Sequence, residues 1–340
     1  MNQQYELTYE KTLVLKTIAV VLMFIHHLFI PMHNVTLSDY QSIWTINQIP
    51  IELVVAYFGK ICVFMFLFIS GYGFYKKEVS YREAGRKLIL FYLHFWTIFL
   101  LFGLIGFGLN RVDFGDYSWS QWLLTLAGVQ LTFVKEWWFI RLYAVLLLLT
   151  PFVIRLAKRG TWREVGLLSL CLWLLQLYTP NEWLDEFLYH QIYFVIGILF
   201  AKEQVFQKLS NISLMRNRWV NLGFLMLMAI FHFWIKNEID STRPLYHAIW
   251  LGIQCASLVC MTNLLFSIHW KENNKLSQLI GKHSMTLWLI HPFFMFYYFH
   301  DFTYCFTYSI LIFIVVFILN VGLSVLIDGV IFHVIKKRIP

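Results

Sequence analysis

The chain has 340 residues, of which 59% are hydrophobic and only 14% are charged. Soluble domains carry about 25% charged residues, so this composition excludes a soluble protein and indicates a polytopic membrane protein. The formal net charge of +8 does not point to nucleic acid, because the basic residues fall in short loops between apolar segments. The five cysteines form no CxxC cluster, and we expect no metal site.

The hydropathy pattern predicts an all-α bundle of about ten transmembrane helices that forms one domain, residues 1–340. The predicted spans are 12–31, 53–75, 88–108, 137–156, 163–180, 187–202, 218–236, 245–268, 283–300 and 307–333. Of the 27 lysines and arginines, 20 fall in alternate loops or termini and 4 in the others, which predicts that both termini are cytoplasmic. Residues 119–134 are apolar but short, and we interpret them as an outer interfacial or re-entrant helix.

The first span carries a cation and two histidines, Lys16, His26 and His27. Lys16 and His27 are 11 residues apart, or about three turns plus 20°, so both side chains project from one helix face, roughly 16 Å apart. Ionisable residues inside a membrane helix are costly and by default mark a functional site. We interpret His27 as a catalytic residue, and His26, which points about 80° away from the Lys16 face, as a packing or hydrogen-bonding residue.

The second span ends in small residues at Ser70 and Gly71, which favour close approach of a neighbouring helix or a ligand. The loop that follows concentrates the cations Arg82, Arg86 and Lys87 on the predicted cytoplasmic side. The two arginines are four residues apart and share one helical face, as a phosphate-binding pair does. The alternative is that they serve only as a topology signal that contacts lipid headgroups.

Charged and aromatic residues meet at the outer end of the fourth span, where Glu136, Trp138 and Arg141 lie. Glu136 can pair with Arg141 or with Lys60, and such a group flanked by tryptophan suits a sugar-like acceptor. The alternative is an aromatic belt with a structural ion pair.

The ninth span carries Ser284, Trp288 and His291 at helical spacing, on one face. Ser284 and His291 are about two turns apart, too far for a direct hydrogen bond. We therefore interpret them as polar lining and not as part of a catalytic triad.

Taken in order, these stretches resemble the acyltransferase-3 family of integral membrane acyltransferases. Lys16 and His27 match its R/K-x10-H motif, and residues 66–72, FLFISGY, its F-x-x-S-G-Y segment. Trp138 to Pro151 is similar to its W…Y…P helix, and residues 281–291 to its late S-x-x-x-W/Y-x-x-H helix. Arg82 and Arg86 stand one residue further apart than the arginine pair of the family.

The resemblance implies a multi-pass enzyme of the cell membrane that uses acetyl-CoA or another acyl-CoA as co-substrate, with no bound cofactor. The acyl group would pass to a hydroxyl of an extracytoplasmic or lipid-linked cell-surface glycan, most often as an O-acetyl ester. His27 would act as general base or acyl carrier. The cations proposed to hold the CoA phosphates are Lys16, Arg82, Arg86 and Lys87, and the supporting residues on the acceptor side are Glu136, Trp138, Arg141, Ser70, Ser284 and His291.

Two other functions are compatible with a helix bundle of this kind. A transporter or flippase of a lipid-linked glycan needs alternating access, but neither an inverted repeat nor a pair of Gly/Pro-broken helices is visible in the sequence. A membrane sensor would be expected to carry a soluble output domain, and we expect none.

Overall fold

The structure is a computed structural model that describes residues 5–111, 118–130, 133–240, 242–267 and 274–331. Almost all of the ordered backbone in these residues is helical. The α-helices are α1 Tyr9–Phe29, α2 Ile51–Gly59, α3 Ile61–Lys77, α4 Tyr81–Gly108, α5 Trp119–Leu126, α6 Phe139–Arg159, α7 Trp162–Leu175, α8 Glu182–Lys202, α9 Val205–Leu209, α10 Ser213–Arg216, α11 Arg218–Glu238, α12 Pro244–Ser267, α13 Lys275–Lys282, α14 Ser284–Pro292, α15 His300–Tyr304 and α16 Ser309–Ile331.

Short irregular elements complete the description. Two 3₁₀ turns occupy Lys135–Trp138 and Gln176–Tyr178, and a π-helical turn occupies Phe293–Tyr297. Two antiparallel strands of two residues each, β1 Thr45–Ile46 and β2 Ile49–Pro50, form a small hairpin in the loop after α1.

Within the described ranges, eight helical segments are long and apolar enough to cross a membrane. They are Tyr9–Phe29, Ile51–Lys77, Tyr81–Gly108, Lys135–Arg159, Glu182–Lys202, Arg218–Glu238, Pro244–Ser267 and Ser309–Ile331. The predicted all-α polytopic architecture is confirmed. Helix α5 has eight residues, fewer than the ~20 that a helical span needs, so this part of 119–134 is not a helical span, as predicted.

The other two predicted spans form shorter helices. Helix α7 has 14 residues and gives way to a 3₁₀ turn, and Thr179 is extended because the residue before a proline disfavours the helical region. Helix α14 has nine residues and continues into the π-helical turn directly after Pro292. That these two segments cross the membrane stays a prediction.

The chain divides into two compact units, each built from separate stretches of sequence. Unit 1 comprises Met1–His26, Trp44–Val79 and Phe152–Lys282. Unit 2 comprises His27–Ile43, Ser80–Pro151 and His283–Pro340. Helices α1 and α6 contribute residues to both.

Unit 1 is built on the close packing of α3 against α8. A Cβ atom added at Gly71 would overlap the carbonyl oxygen of Phe194, and one added at Gly197 would overlap that of Phe68. Each helix therefore presents a glycine to the backbone of the other, an approach that a larger residue would prevent. Gly71 follows Ser70 in the predicted motif, so the close approach expected there is to a neighbouring helix.

Unit 2 has an aromatic core around α4, the start of α6 and the π-helical turn. The rings of Phe102 and Phe293 stack at 4.0 Å, and Trp137 donates from Nε1 to the Leu289 carbonyl oxygen at 3.0 Å. Helix α4 begins with a capping box in which Ser80 and Glu83 satisfy each other's backbone N–H groups. These contacts position the side chains described next.

Candidate functional site

Helix α1 carries Lys16 and His27 on one uninterrupted helical stretch, as the sequence predicts. Both side chains are half-buried. Two tyrosine hydroxyls donate hydrogen bonds to the last carbonyls of this helix. Tyr304 donates to the Leu28 carbonyl oxygen at 2.8 Å, and Tyr40 donates to the Phe29 carbonyl oxygen at 3.4 Å. Burial raises the pKa of Tyr304, so its phenol stays protonated and remains a donor. The last carbonyls of α1, next to His27, are thus held in place.

The imidazole of His27 lies against the imidazole of His291. Their ring centroids are 4.8 Å apart, and the Phe296 ring meets His27 edge-on at 5.6 Å. His291 is fully buried, and its Nδ1 donates to the Trp288 carbonyl oxygen at 2.6 Å. That bond orients the His291 ring and places the proton on Nδ1. The structure thus brings together two residues that the sequence proposed from opposite ends of the chain.

A second group contains a buried carboxylate. Glu136 is 6% exposed, and its two oxygens contact His33 Nε2 at 2.7 Å and the Tyr297 hydroxyl at 2.9 Å. The same hydroxyl accepts from the backbone N–H of Lys135 at 3.1 Å. His33 also packs its ring at 4.8 Å from Phe296, the ring that contacts His27. Phe296 therefore connects the His27–His291 pair to the His33–Glu136–Tyr297 group.

The pairing predicted for Glu136 is wrong. Its partners are His33 and Tyr297, and not Arg141 or Lys60. The reason is local geometry: Glu136 lies in the 3₁₀ turn before α6, whereas Arg141 is on α6 and donates from Nη1 to the Val129 carbonyl at 3.3 Å. Trp138 ends the same 3₁₀ turn and packs against Phe139.

A further carboxylate, Asp328 on α16, lies near His94 on α4 and His283, the residue before α14. It accepts a short hydrogen bond from His283 Nδ1 and one of 2.5 Å from the Thr286 hydroxyl. His94 Nε2 lies 3.6 Å from the same carboxylate, and its Nδ1 contacts the Leu90 carbonyl at 2.7 Å. Helices α4, α14 and α16 are thus tied together by one acidic side chain. Ser284, next to His283, is buried at the start of α14, which suits the predicted lining role.

The proposed donor-binding cations of unit 2 lie in the first two turns of α4. Arg82 and Arg86 are exposed and Lys87 is half-buried. Two arginines four residues apart at the start of a helix present their charge at the end whose backbone N–H groups also favour anions. Phosphate binding by these cations stays a prediction.

In the described part of the chain, no group of three His, Cys, Asp or Glu residues is arranged to hold a metal ion. Imidazoles supply proton transfer, and a carboxylate against an imidazole orients it and stabilises its protonated form.

Several of these residues were missed in the sequence. His33, Tyr297, His94, His283 and Asp328 were not singled out, although Asp328 carried a usable signal. It is the one acidic residue within the last apolar span, and an intramembrane carboxylate marks a functional or structural polar site. His33 carried no such signal. It follows α1 in a left-handed backbone conformation (φ 54°), which no local sequence pattern predicts.

A polytopic helical membrane protein with a histidine pair beside a buried His–carboxylate group is equipped for acid–base chemistry on a bound substrate. The model of the acyltransferase-3 family, described as an acyltransferase domain, matches residues 14–329. The chain therefore belongs to the acyltransferase-3 family and is a multi-pass membrane acyltransferase. The resemblance drawn from the motifs is confirmed. No match was found among curated proteins or among solved structures.

Proposed function

We propose that this enzyme is an O-acyltransferase of the cell membrane that transfers an acyl group, most often acetyl, from cytoplasmic acyl-CoA to a glycan. The acceptor is a hydroxyl of an extracytoplasmic or lipid-linked cell-surface glycan. The observation that carries the proposal is the contact of His27 with His291, beside the His33–Glu136–Tyr297 group. It places a proton acceptor next to side chains that can orient a hydroxyl.

In the proposed reaction, His27 takes the proton of the acceptor hydroxyl as its oxygen attacks the thioester carbon. The new C–O ester bond forms while the C–S bond breaks, and the CoA thiolate leaves with the proton that His27 returns. A variant of this sequence has His27 carry the acyl group briefly before the acceptor takes it. His291, held by the Trp288 carbonyl, supports the His27 ring in either case.

The donor is proposed to bind through its phosphates. Arg82, Arg86 and Lys87 offer three cations on two turns of α4, and charge-assisted hydrogen bonds from arginine suit phosphate oxygens. Lys16 keeps the donor-binding role that the sequence predicted. On the acceptor side, Glu136 and its partners His33 and Tyr297 offer both acceptors and donors for sugar hydroxyls.

The test is transfer of label from radiolabelled acetyl-CoA to glycan by the purified protein in lipid nanodiscs. We expect labelled glycan that rises to saturation with acetyl-CoA. With Arg82→Ala and Arg86→Ala together, the half-saturating concentration should rise about 10-fold or more, since hydrogen bonds to charged groups contribute about 1.5–3 kcal/mol. The matched control is Arg155→Ala with Arg159→Ala, an exposed pair at the same spacing on α6.

The alternative function, transport of a lipid-linked glycan, predicts glycan that crosses the bilayer without label. One structural feature bears on it, the interruption between α2 and α3 at Lys60, within the predicted span 53–75. Lys60 keeps helical dihedrals (φ −55°, ψ −18°), so the interruption is a local kink and not the unwound segment typical of transporter helices. The transport assay uses liposomes of the same lipid composition as the nanodiscs. Movement of unlabelled glycan across the liposome bilayer, with no acyl transfer, would contradict the acyltransferase proposal.

A further inference from the structure

Unit 1 contains a lysine whose surroundings are unusual. Lys60 lies between α2 and α3, and its side chain is exposed. Among the described residues, no aspartate or glutamate forms an ion pair with Lys60.

The groups around Lys60 are basic. Four imidazoles and a second lysine, on four helices of unit 1, lie within electrostatic range of its ammonium. The rings of Tyr189 and Tyr246 contact three of these imidazoles and the second lysine, which joins them in one group. These five partners are His26 on α1, His190 on α8, His232 and Lys236 on α11, and His247 on α12. We call Lys60 and these five residues the lysine–histidine cluster.

Two of the imidazoles are held by backbone carbonyls. His26 Nδ1 lies 2.8 Å from the Ala56 carbonyl oxygen, and His190 Nδ1 lies 2.8 Å from that of Glu186. A carbonyl oxygen only accepts, so Nδ1 carries the proton in both rings. The rings are thereby fixed in orientation within the cluster.

The other two imidazoles are held by aromatic rings. His232 stacks on Trp250 at 3.7 Å, with Nε2 at 3.2 Å from the Tyr246 hydroxyl. His247 packs edge-on against Tyr189 at 5.1 Å. Within the described residues, Nδ1 of His232, which is 1% exposed, and Nδ1 of His247 are buried and have no hydrogen-bond partner. Buried polar atoms of this kind point to a missing partner.

Two acidic side chains act on a member of the cluster or on a ring that contacts it. Asp240 acts on Lys236 from the loop after α11, and Asp185 acts on Tyr189 from the start of α8. Lys236 also lies 5.8 Å from the centre of the Tyr246 ring, a cation–π distance. The cluster is therefore a group of cations and imidazoles that no carboxylate of the described chain neutralises at Lys60.

We propose that the lysine–histidine cluster binds a phosphate or diphosphate group, and that this group belongs to the glycan acceptor. Like charges in a medium of low dielectric constant destabilise one another, and an anion placed among them removes that cost. The two ammonium groups and the unpartnered Nδ1 atoms of His232 and His247 offer more donors than the two oxygens of a carboxylate accept, whereas a phosphate presents three or more. Lysine is also a usual phosphate ligand.

The assignment of the anion to the acceptor rests on the proposed acyltransferase function, but the binding of phosphate does not. The experiment therefore measures binding in the absence of acyl-CoA. Geranyl diphosphate represents a lipid-linked diphosphate, inorganic pyrophosphate represents a soluble one, and glucuronate represents a sugar carboxylate. Each is titrated calorimetrically into the purified full-length protein in detergent.

We expect the wild-type protein to bind geranyl diphosphate, and Lys60→Gln to weaken that binding about 10- to 100-fold, as loss of a hydrogen bond to a charged group does. Lys60→Arg should retain most of the affinity. Lys208→Gln, which removes an exposed lysine paired with Glu203 elsewhere in unit 1, is the matched control and should bind like the wild type.

Pyrophosphate that binds as tightly as geranyl diphosphate would support phosphate recognition and assign it to a soluble compound. Binding that is absent in the wild type, unchanged in Lys60→Gln, or stronger for glucuronate would overturn the proposal. Failure of acyl transfer with binding intact would refute the proposed function alone, so the two failures are distinguishable.

Discussion

The histidines of the two units have opposite electrostatic neighbours. In unit 2, His33 lies against Glu136, and His94 and His283 lie against Asp328. In unit 1, four histidines lie within electrostatic range of Lys60. An imidazole beside a carboxylate is oriented by it, whereas lysines that lie near one another favour a bound anion. The same side chain thus serves proton transfer in one unit and, in our proposal, anion recognition in the other.

The contrast is sharpest on helix α1, where consecutive residues belong to different units. His26 contacts the Ala56 carbonyl in unit 1, and His27 contacts His291 in unit 2. The predicted division of roles, with His26 as a hydrogen-bonding residue, is confirmed for that contact. The catalytic role of His27 stays a prediction.

The largest expected effect is therefore a difference between these two neighbours. His27→Ala should lower acyl transfer by about 10²–10⁴-fold, the usual loss for a general base, and by more if His27 carries the acyl group. His26→Ala should retain substantial activity, because it removes a hydrogen bond and not the reacting imidazole. Initial rates of label transfer by the two purified variants, at matched folded protein, measure this.

Equal losses in both variants would mean that the two histidines are not divided between the units in function. A His27→Ala enzyme with near wild-type turnover would end the mechanism proposed here.

A smaller effect is expected when the carboxylate beside His33 loses its charge. Glu136→Gln keeps the size of the side chain but removes the carboxylate that contacts His33, so transfer should fall about 10- to 100-fold, the equivalent of one hydrogen bond to a charged group. Tyr297→Phe deletes only the hydroxyl that donates to Glu136 and should cost less. The ratio of kcat/KM for acceptor between the variants and the wild type measures both losses.

If Glu136→Gln and Tyr297→Phe leave the acceptor kinetics unchanged and only lower stability, the group holds the fold together and does not position the acceptor.

The smallest effects compare the units by stability. Asp328→Asn should lower the free energy of unfolding by about 1.5–3 kcal/mol, because it weakens charged hydrogen bonds from His283 and Thr286. Lys60→Gln should raise it by about 1 kcal/mol, the scale of a like-charge pair about 4 Å apart that bulk water screens, because Lys60 is exposed. Denaturant unfolding of the ligand-free variants in detergent measures both.

The two substitutions should change the free energy of unfolding in opposite directions, and this difference in sign tests the contrast between the units. A loss of stability in Lys60→Gln as large as that in Asp328→Asn would show that Lys60 has a stabilising partner, and the contrast between the units would fail.

The parts of this picture that were predictable are those encoded locally. The face shared by Lys16 and His27 follows from helix periodicity, and the spans follow from runs of apolar residues longer than a bilayer requires. The packing of Gly71 against a neighbouring helix was one of two options that a small residue leaves open. These predictions need only residues within a few turns of one another.

The parts that were not predictable depend on contacts between distant segments. Glu136 and Tyr297 are 161 residues apart, and His283 and Asp328 are 45 apart. Charge alone offered Arg141 and Lys60 as partners for Glu136, and nothing in the sequence ranked a loop histidine above them. The residues near Lys60 were likewise not predictable from the sequence, because each histidine of the cluster is an isolated residue in its own helix.

The interlocking glycines of α3 and α8 have a consequence for how the protein is made. Gly71 and its partner Phe194 are separated by more than 100 residues, and unit 1 includes residues as late as Lys282. At about 5–20 residues per second, roughly 6–25 s pass between synthesis of α3 and of its partner helix. During that interval α3 resides in the membrane without the helix that its glycines fit. The folding of unit 1 therefore depends on the later synthesis of α8. A ribosome stalled before α8 would leave α3 unpaired in the membrane and available to chaperones of unassembled membrane helices.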